Sequence, residues 1–188
     1  MLPVAGIALE RLGNAIATPL NGWGVALTAG LLGLYASVVV PTGLRSGLLQ
    51  PAAGGRPGRL SRLPARVAGL LVLPSLVEEG LFRVLPLPHP LEGAGAVEVI
   101  GWGLLASGLF VAYHPLAARC WYPPGAPLFS QARFLVPCAL LGLVCTIAYL
   151  ATGSLWPPLL LHAAVVITWL EVYGGRRLLG SERQAGTG

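Results

Sequence analysis

An apolar run from Val67 to Leu87 contains three charged side chains, Glu78, Glu79 and Arg83, and constrains the fold more than any other feature. The run is too hydrophobic for the surface of a soluble helix. An ionisable group at the centre of a membrane costs roughly 2.5–3.5 kcal/mol on insertion scales, so such groups are kept mainly where they pair or carry out chemistry. The run therefore predicts a membrane-spanning helix with a charge cluster inside it.

The spacing of the three charges separates one carboxylate from the other two. Glu79 and Arg83 are four residues apart, which places them on one helix face where they can neutralise each other. Glu78 lies about 100° around the helix and has no partner within that helix. An unpaired buried carboxylate beside a paired one is how a general base would be arranged. The alternative is that all three charges form one cluster that braces the helix.

Composition extends this interpretation to the whole chain. The 188 residues are 55% hydrophobic and 10% charged, with a mean hydropathy of +0.74, whereas soluble domains carry about 25% charged residues. We therefore expect an all-α, polytopic integral membrane protein that forms one domain, residues 1–188. The net charge of +5 comes from arginines that lie mostly in loops, which indicates membrane topology and not nucleic-acid binding.

The apolar segments predict an interfacial helix followed by five spans. Residues 1–22 are mildly amphipathic and form the interfacial segment. Pro41 is expected to end the first span, and Pro74 and Pro86 each leave a carbonyl one turn earlier without its usual donor. The five predicted spans are Trp23 to Val40, Val67 to Leu87, Val97 to Ala118, Phe134 to Leu150 and Leu155 to Tyr173.

The arginine-rich segments all lie on one side of this five-span arrangement. They are the loop 41–66, the loop 119–133 and the tail 174–188. By the positive-inside rule this side is cytoplasmic, so the N-terminus lies outside and the C-terminus inside. In the loop 119–133, Trp121 and Tyr122 are expected at headgroup level. An all-arginine basic set in a Gly-, Ala- and Leu-rich chain suggests a bacterium, and hence its inner membrane or, in a cyanobacterium, the thylakoid.

Of the remaining polar residues, some are expected to be structural and two histidines are candidates for a functional site. Cys120, Cys138 and Cys145 are an odd number without a CxxC motif, so no disulfide framework or zinc site is indicated, and the last two are expected to pack as small apolar residues. His89, between two prolines, is expected to be a solvated loop histidine. His114 and His162 lie inside spans. A single intramembrane histidine is more often structural, but two of them with a carboxylate pair indicate one site.

Three ordered motifs carry a family resemblance. They lie in separate spans and read Glu78-Glu79-x-x-x-Arg83, Phe110-x-x-x-His114 and His162. Across roughly residues 67–173 the chain resembles the CPBP family of intramembrane proteases, which includes the CAAX prenyl endopeptidases and bacterial bacteriocin-processing and immunity (Abi) proteins. The apolar stretch that ends at Trp169 looks most like cyanobacterial members.

The resemblance implies a glutamate-type mechanism. Glu78 would deprotonate a water that His114 holds and orients, and His162 would stabilise the oxyanion on the scissile carbonyl. Glu79 and Arg83 would order the first of these helices. The expected partners are a peptide or membrane-protein substrate and the lipid bilayer. No cofactor or metal is implied.

One position departs from the family pattern. The third motif usually has Asn or another polar residue one turn after the histidine, where this chain has Val166. A backbone group or water would have to replace that donor, or the oxyanion site is weaker. Val166 favours the alternative of a non-catalytic membrane scaffold or partner-binding protein. Two further alternatives are a transporter with a proton relay and a zinc site formed by two histidines and a glutamate, although HExxH is missing.

Overall fold

The computed structural model describes residues 4–51 and 63–180, and all regular structure in these ranges is helical. The predicted all-α membrane bundle is therefore confirmed. Arg56, Arg59 and Arg62 of the basic loop lie outside the described residues, as does most of the predicted tail. The α-helices are α1 Val4–Ala17, α2 Gly22–Ser46, α3 Leu63–Leu70, α4 Val77–Glu79, α5 Ala96–Cys120, α6 Ala132–Thr152, α7 Trp156–Ile167 and α8 Gly175–Leu178.

Three of these helices, α2, α5 and α6, are long and apolar enough to cross a membrane. The fifth predicted span is a shorter apolar helix over Trp156–Val172, in which a π-helical turn, Thr168–Val172, continues α7. The second predicted span is discontinuous. We call it the broken span, residues 63–84; it consists of α3, a π-helical segment Leu71–Leu76, α4 and a second π-helical segment Gly80–Val84.

The first span is longer than predicted, because α2 continues through Pro41 to Ser46. A proline is tolerated inside a membrane helix where the carbonyl that it leaves free can be satisfied in another way. The helix ends instead at Gly47, which adopts a left-handed conformation with φ 72° and donates its N–H to Leu44 O. Left-handed glycine is a common helix terminator because it lacks the Cβ that strains this conformation.

The break in the second span lies at Leu73, whose φ of −127° and ψ of 117° are not helical. A residue before proline is pushed toward extended conformations, and Pro74 follows directly. Ser75 Oγ donates to Leu70 O at 2.9 Å, which is the carbonyl that Pro74 was predicted to leave free. The Ser75 hydroxyl therefore replaces the hydrogen bond that Leu70 O loses at the break. The chain returns to α-helix at Val77, just before Glu78.

Helix α6 lies at the centre of the bundle and packs against α2, α5 and α7. Cys145 of α6 is fully buried in the main apolar core, as the packing interpretation predicted, and its thiol donates to Pro158 O at 3.6 Å. The other buried members of this core are Leu31, Tyr35, Val39, Leu141, Val144, Ala148 and Leu161.

The prediction of a solvated His89 is wrong. Its side chain is only 3% exposed, and its Nε2 lies 2.9 Å from Gly153 O, at the left-handed residue that ends α6. Its Nδ1 accepts from Leu91 N at 3.2 Å, so Nε2 carries the proton and donates to the carbonyl. The carbonyl at the end of α6 needs a donor, and His89 supplies one.

Polar contacts fix helix α1 to the end of the bundle at which α6 ends. Leu155 N donates to Ala15 O at 2.9 Å, and Ser154 Oγ donates to Thr18 O at 2.8 Å. Arg11 forms a two-pronged ion pair with Glu92, with Nε–Oε1 2.7 Å and Nη2–Oε2 2.6 Å. The predicted interfacial segment is thus a helix that is held in place by the loops that join the spans.

The Arg11–Glu92 pair predicts that acid loosens α1. The guanidinium hydrogen bonds lower the pKa of Glu92 from its ordinary 4.5. Since the folded-state pKa is depressed, the pair stabilises the docked helix at pH above 4.5 and this stabilisation is lost as the pH falls below it. Glu92→Gln should weaken docking at neutral pH by roughly 1 kcal/mol or less.

Hydrogen exchange of residues 4–17 in detergent would measure this effect. Glu92→Gln should exchange faster than wild type at neutral pH, and the difference should disappear in acid. Glu10→Gln, on the same helix but outside this pair, is the matched control and should leave exchange unchanged. Equal exchange in wild type and Glu92→Gln at neutral pH would contradict the role of the pair.

Candidate active site

The broken span places a complete ion pair inside the bundle. Glu79 and Arg83 are both 0% exposed, and Arg83 Nη1 donates to Glu79 Oε1 at 3.2 Å. A second guanidinium nitrogen, Nη2, donates to Gly142 O of α6 at 3.1 Å. A Cβ at Gly142 would lie 3.3 Å from Arg83 Nη2, so the small residue lets the guanidinium approach the α6 backbone. The predicted pairing on one helix face is present.

Helix α7 brings His162 to the same cluster. His162 Nδ1 lies 2.6 Å from Glu79 Oε1, so this oxygen accepts hydrogen bonds from both the imidazole and the Arg83 guanidinium. His162 Nε2 lies 3.6 Å from Glu78 Oε2. Glu78, which has no partner in its own helix, therefore faces a basic group from another helix. Its Oε2 is buried without a hydrogen-bond partner among the described residues.

Phe110 connects the charge cluster to the second histidine. Its ring lies beneath the Arg83 guanidinium, 4.3 Å from the centroid, in cation–π geometry. The same ring makes edge contacts with His162 and His114, at centroid distances of 5.8 and 5.0 Å. The structure thus places this supporting residue of the motif between both histidines.

His114 lies inside α5, which continues through Pro115 instead of breaking there. Its Nδ1 lies 2.9 Å from Phe110 O, one turn earlier on the same helix, and donates to that carbonyl. Cys138 Sγ of α6 lies 3.4 Å from the same nitrogen. Cys138 was expected only to pack, and its contact with His114 was not predicted, because it depends on the register between α5 and α6.

The connection between α5 and α6 also contributes to the site. Phe129 packs against His114 at 5.5 Å and stacks on Phe134 at 4.5 Å. A Cβ at Gly125 would lie 2.5 Å from the Phe129 ring, so only glycine allows this arrangement without displacement. Sequence reasoning missed Phe129. The turn residues Pro123, Pro124 and Gly125 were the signal for a tight turn that returns the chain to the bundle.

A cavity of about 530 Å³ brings the candidates together. Glu78, His114 and His162 all line it, although they come from the broken span, α5 and α7. Val166 lines it too and packs against the buried cluster of Leu48, Leu128, Leu170 and Leu179. The remaining wall is mostly aliphatic and aromatic.

The zinc alternative requires three ligands in one place. Within residues 4–51 and 63–180, no three His, Cys, Asp or Glu side chains form a group that could hold a metal ion. One nitrogen of each candidate histidine already binds a protein oxygen, Phe110 O for His114 and Glu79 Oε1 for His162. Metal independence stays a prediction that chelation would test.

The buried pair predicts a large stability effect. Arg83→Met removes the countercharge of Glu79, and breaking a buried ion pair on one side costs roughly 3–5 kcal/mol. Thermal unfolding in detergent should show a much lower midpoint. The double variant Glu79→Gln with Arg83→Met should recover much of the loss, because no uncompensated charge remains. If Arg83→Met were as stable as the wild type, Arg83 would not be needed to compensate the charge of Glu79.

One of three comparisons with known proteins found a match. Neither the curated proteins nor the solved structures include a significant match to the chain. A family model described as "Type II CAAX prenyl endopeptidase Rce1-like" matches residues 61–168, more than half of the 188-residue chain. The matched range runs from before the broken span to the end of α7, so it contains all three motifs. The chain therefore belongs to the Rce1-like family of type II CAAX prenyl endopeptidases.

Proposed function

We propose that this protein is an intramembrane endopeptidase that hydrolyses a peptide bond with a water activated by Glu78. One observation carries the assignment of the base. Glu78 Oε2 is buried and has no hydrogen-bond partner among the described residues, and the Glu78 residue lines the cavity that His114 and His162 also line. A carboxylate without a partner at the wall of a cavity can serve as the acceptor of a proton from water.

His114 has the hydrogen bonding that its proposed role needs. Its Nδ1–H donates to Phe110 O, so Nε2 keeps a lone pair. A water between Glu78 and His114 would donate one hydrogen to each and direct an oxygen lone pair at the scissile carbonyl. The aromatic rings of Phe110, Phe129 and Phe134 hold the imidazole in place.

The three remaining charged or ionisable motif residues, His162, Glu79 and Arg83, act on charge. As the carbonyl is attacked, negative charge develops on its oxygen, and His162 would donate to it from Nε2. A donor aimed at such a charge in a site without bulk water is typically worth roughly 3–4 kcal/mol. Glu79 and Arg83 hold His162 and the broken span. The substrate is a peptide or membrane protein whose side chains fit an apolar wall, and the arginine-rich end of the bundle faces the cytoplasm of a bacterial cell.

Removal of the base predicts loss of cleavage without loss of fold. Glu78→Gln keeps the size and polarity of the side chain but accepts no proton at neutral pH. Purified variant and wild type in detergent would be compared on a quenched peptide library. We expect cleavage to fall by at least roughly 100-fold, the scale of general-base contributions, with an unchanged thermal midpoint. Cleavage by the variant at the wild-type rate would remove Glu78 from the mechanism.

The same assay tests metal independence. Wild-type cleavage should persist after prolonged treatment with a strong chelator, because no step above uses a metal. Loss of cleavage that returns only when Zn²⁺ is restored would replace the glutamate mechanism with a zinc mechanism. A chelated sample of Glu78→Gln is the background control.

A non-catalytic scaffold is the second candidate, and Val166 favours it. Val166 cannot donate a hydrogen bond and packs against a buried leucine cluster, so its side chain cannot support His162 as a donor one turn further along the helix. Under this alternative Glu78→Gln leaves the biological role intact, while Arg83→Met abolishes it by unfolding the protein. Cleavage of any peptide that depends on Glu78 would exclude this candidate.

A further inference from the structure

The buried charge cluster has one more carboxylate than it has permanent cations. Glu78 and Glu79 carry the two carboxyl groups, and Arg83 is the one guanidinium in contact with either of them in the described residues. His162 contacts both carboxyl groups and is the remaining side chain that can add a positive charge. All four side chains are at most 8% exposed.

The proton on one imidazole nitrogen is fixed by geometry. His162 Nδ1 lies 2.6 Å from Glu79 Oε1, which also accepts from Arg83 Nη1. A carboxylate that already pairs with a guanidinium is an acceptor, so Nδ1 carries a proton. A neutral imidazole has only one N–H. In that state Nε2 would be an acceptor and could not donate to an oxyanion.

Charge balance then decides how many further protons the cluster holds. With Glu78 and Glu79 ionised, Arg83 charged and His162 neutral, the cluster would have a net charge of −1. An uncompensated charge in an apolar interior costs several kcal/mol even after relaxation. One additional proton removes it. Glu79 already pairs with Arg83 and His162, so a proton is less favourable on it than on Glu78 Oε2 or His162 Nε2, which lie 3.6 Å apart.

We propose that this proton resides on His162 Nε2 in the active form, so that one proton creates both the ionised base and the oxyanion donor. The proposal rests on the proposed function. With the proton on Glu78, the base is blocked and the donor is missing. With the proton on His162, Glu78 can accept from water and Nε2–H can donate to the substrate. Glu79 is then a positioning residue that holds the imidazolium by its charge.

Charge stays balanced through the reaction. Water transfers a proton to Glu78 Oε2 while its oxygen forms the new bond to the carbonyl carbon, and the carbonyl π electrons move to the oxygen. Glu78 loses its negative charge and the substrate oxygen gains one beside the His162 imidazolium. When the oxyanion re-forms the carbonyl, the C–N bond breaks and Glu78 returns the proton to the leaving amine. The products are a carboxylic acid and an amine, and the cluster is restored.

The proposal makes different predictions for the two glutamates. Glu79→Gln removes one negative charge, so Glu78 and Arg83 balance each other and His162 becomes neutral. Glu78→Gln leaves Glu79 and Arg83 in balance, with the same consequence for His162. Glu98→Gln, at an exposed position near the start of α5, changes the total charge equally but does not touch the cluster. It is the matched control.

Nitrogen NMR of the full chain with ¹⁵N-labelled histidine would locate the protons without any substrate. The chain has three histidines, and the His162 signals are those that disappear in His162→Gln. In wild type at neutral pH we expect both ring nitrogens of His162 to be protonated. In Glu78→Gln and Glu79→Gln only Nδ1 should be protonated, while Glu98→Gln matches wild type. An unprotonated Nε2 in wild type would overturn the proposal, as would spectra that neither glutamate variant changes.

Kinetics supply the second readout. Per folded molecule, Glu79→Gln should lower kcat by roughly 10²–10³-fold, the effect of losing one oxyanion donor, with little change in KM. A purely structural Glu79 would lower the folded fraction and leave kcat of that fraction unchanged, which would contradict the proposal. If Glu79→Gln does not fold, the wild-type and Glu78→Gln spectra still decide the location of the proton. If the wild type cleaves peptides while His162 Nε2 is unprotonated, this inference is wrong and the proposed function still holds.

Discussion

The carboxylate of Glu79 joins the elements on which the site depends. In an apolar bilayer a charged group cannot be left without partners, because no water is available to replace them. One oxygen of Glu79 receives Arg83 from the next turn and His162 from α7, and Arg83 extends the connection to the backbone of α6. The relative positions of three elements are thus tied to a single ionised group.

The break in the second span follows from the same constraint on backbone groups. A proline inside a membrane helix frees a carbonyl that must find another donor. Ser75 provides it for the break at Pro74. On α5, His114 Nδ1 also donates to a backbone carbonyl, Phe110 O, and this hydrogen bond fixes the imidazole tautomer.

The pairing of Glu79 with Arg83 could be predicted because it depends only on the spacing of residues within one segment. The four-residue spacing of Glu79 and Arg83 and the apolar surroundings are visible in the sequence, and the structure shows that pair. Phe129, Cys138 and the burial of His89 could not be predicted in this way. Each depends on the register between helices or on the path of a connecting turn, which the hydrophobic pattern of a single segment does not determine. Pro41 did not end the first span, because a proline is tolerated inside a membrane helix. That helix ends at the left-handed Gly47 instead.

The origin of Phe129 has a consequence for how this site can diversify. The charge cluster is held by spanning helices, where a change of side chain disturbs the packing of the whole bundle. Phe129 instead comes from a short connection that contains two prolines and a glycine, and its ring forms part of the wall beside His114. Substitutions in that turn would reshape the cavity beside His114 while the buried charges keep their partners. Under the proposed mechanism, substrate preference and catalytic chemistry would be carried by separable parts of one small fold.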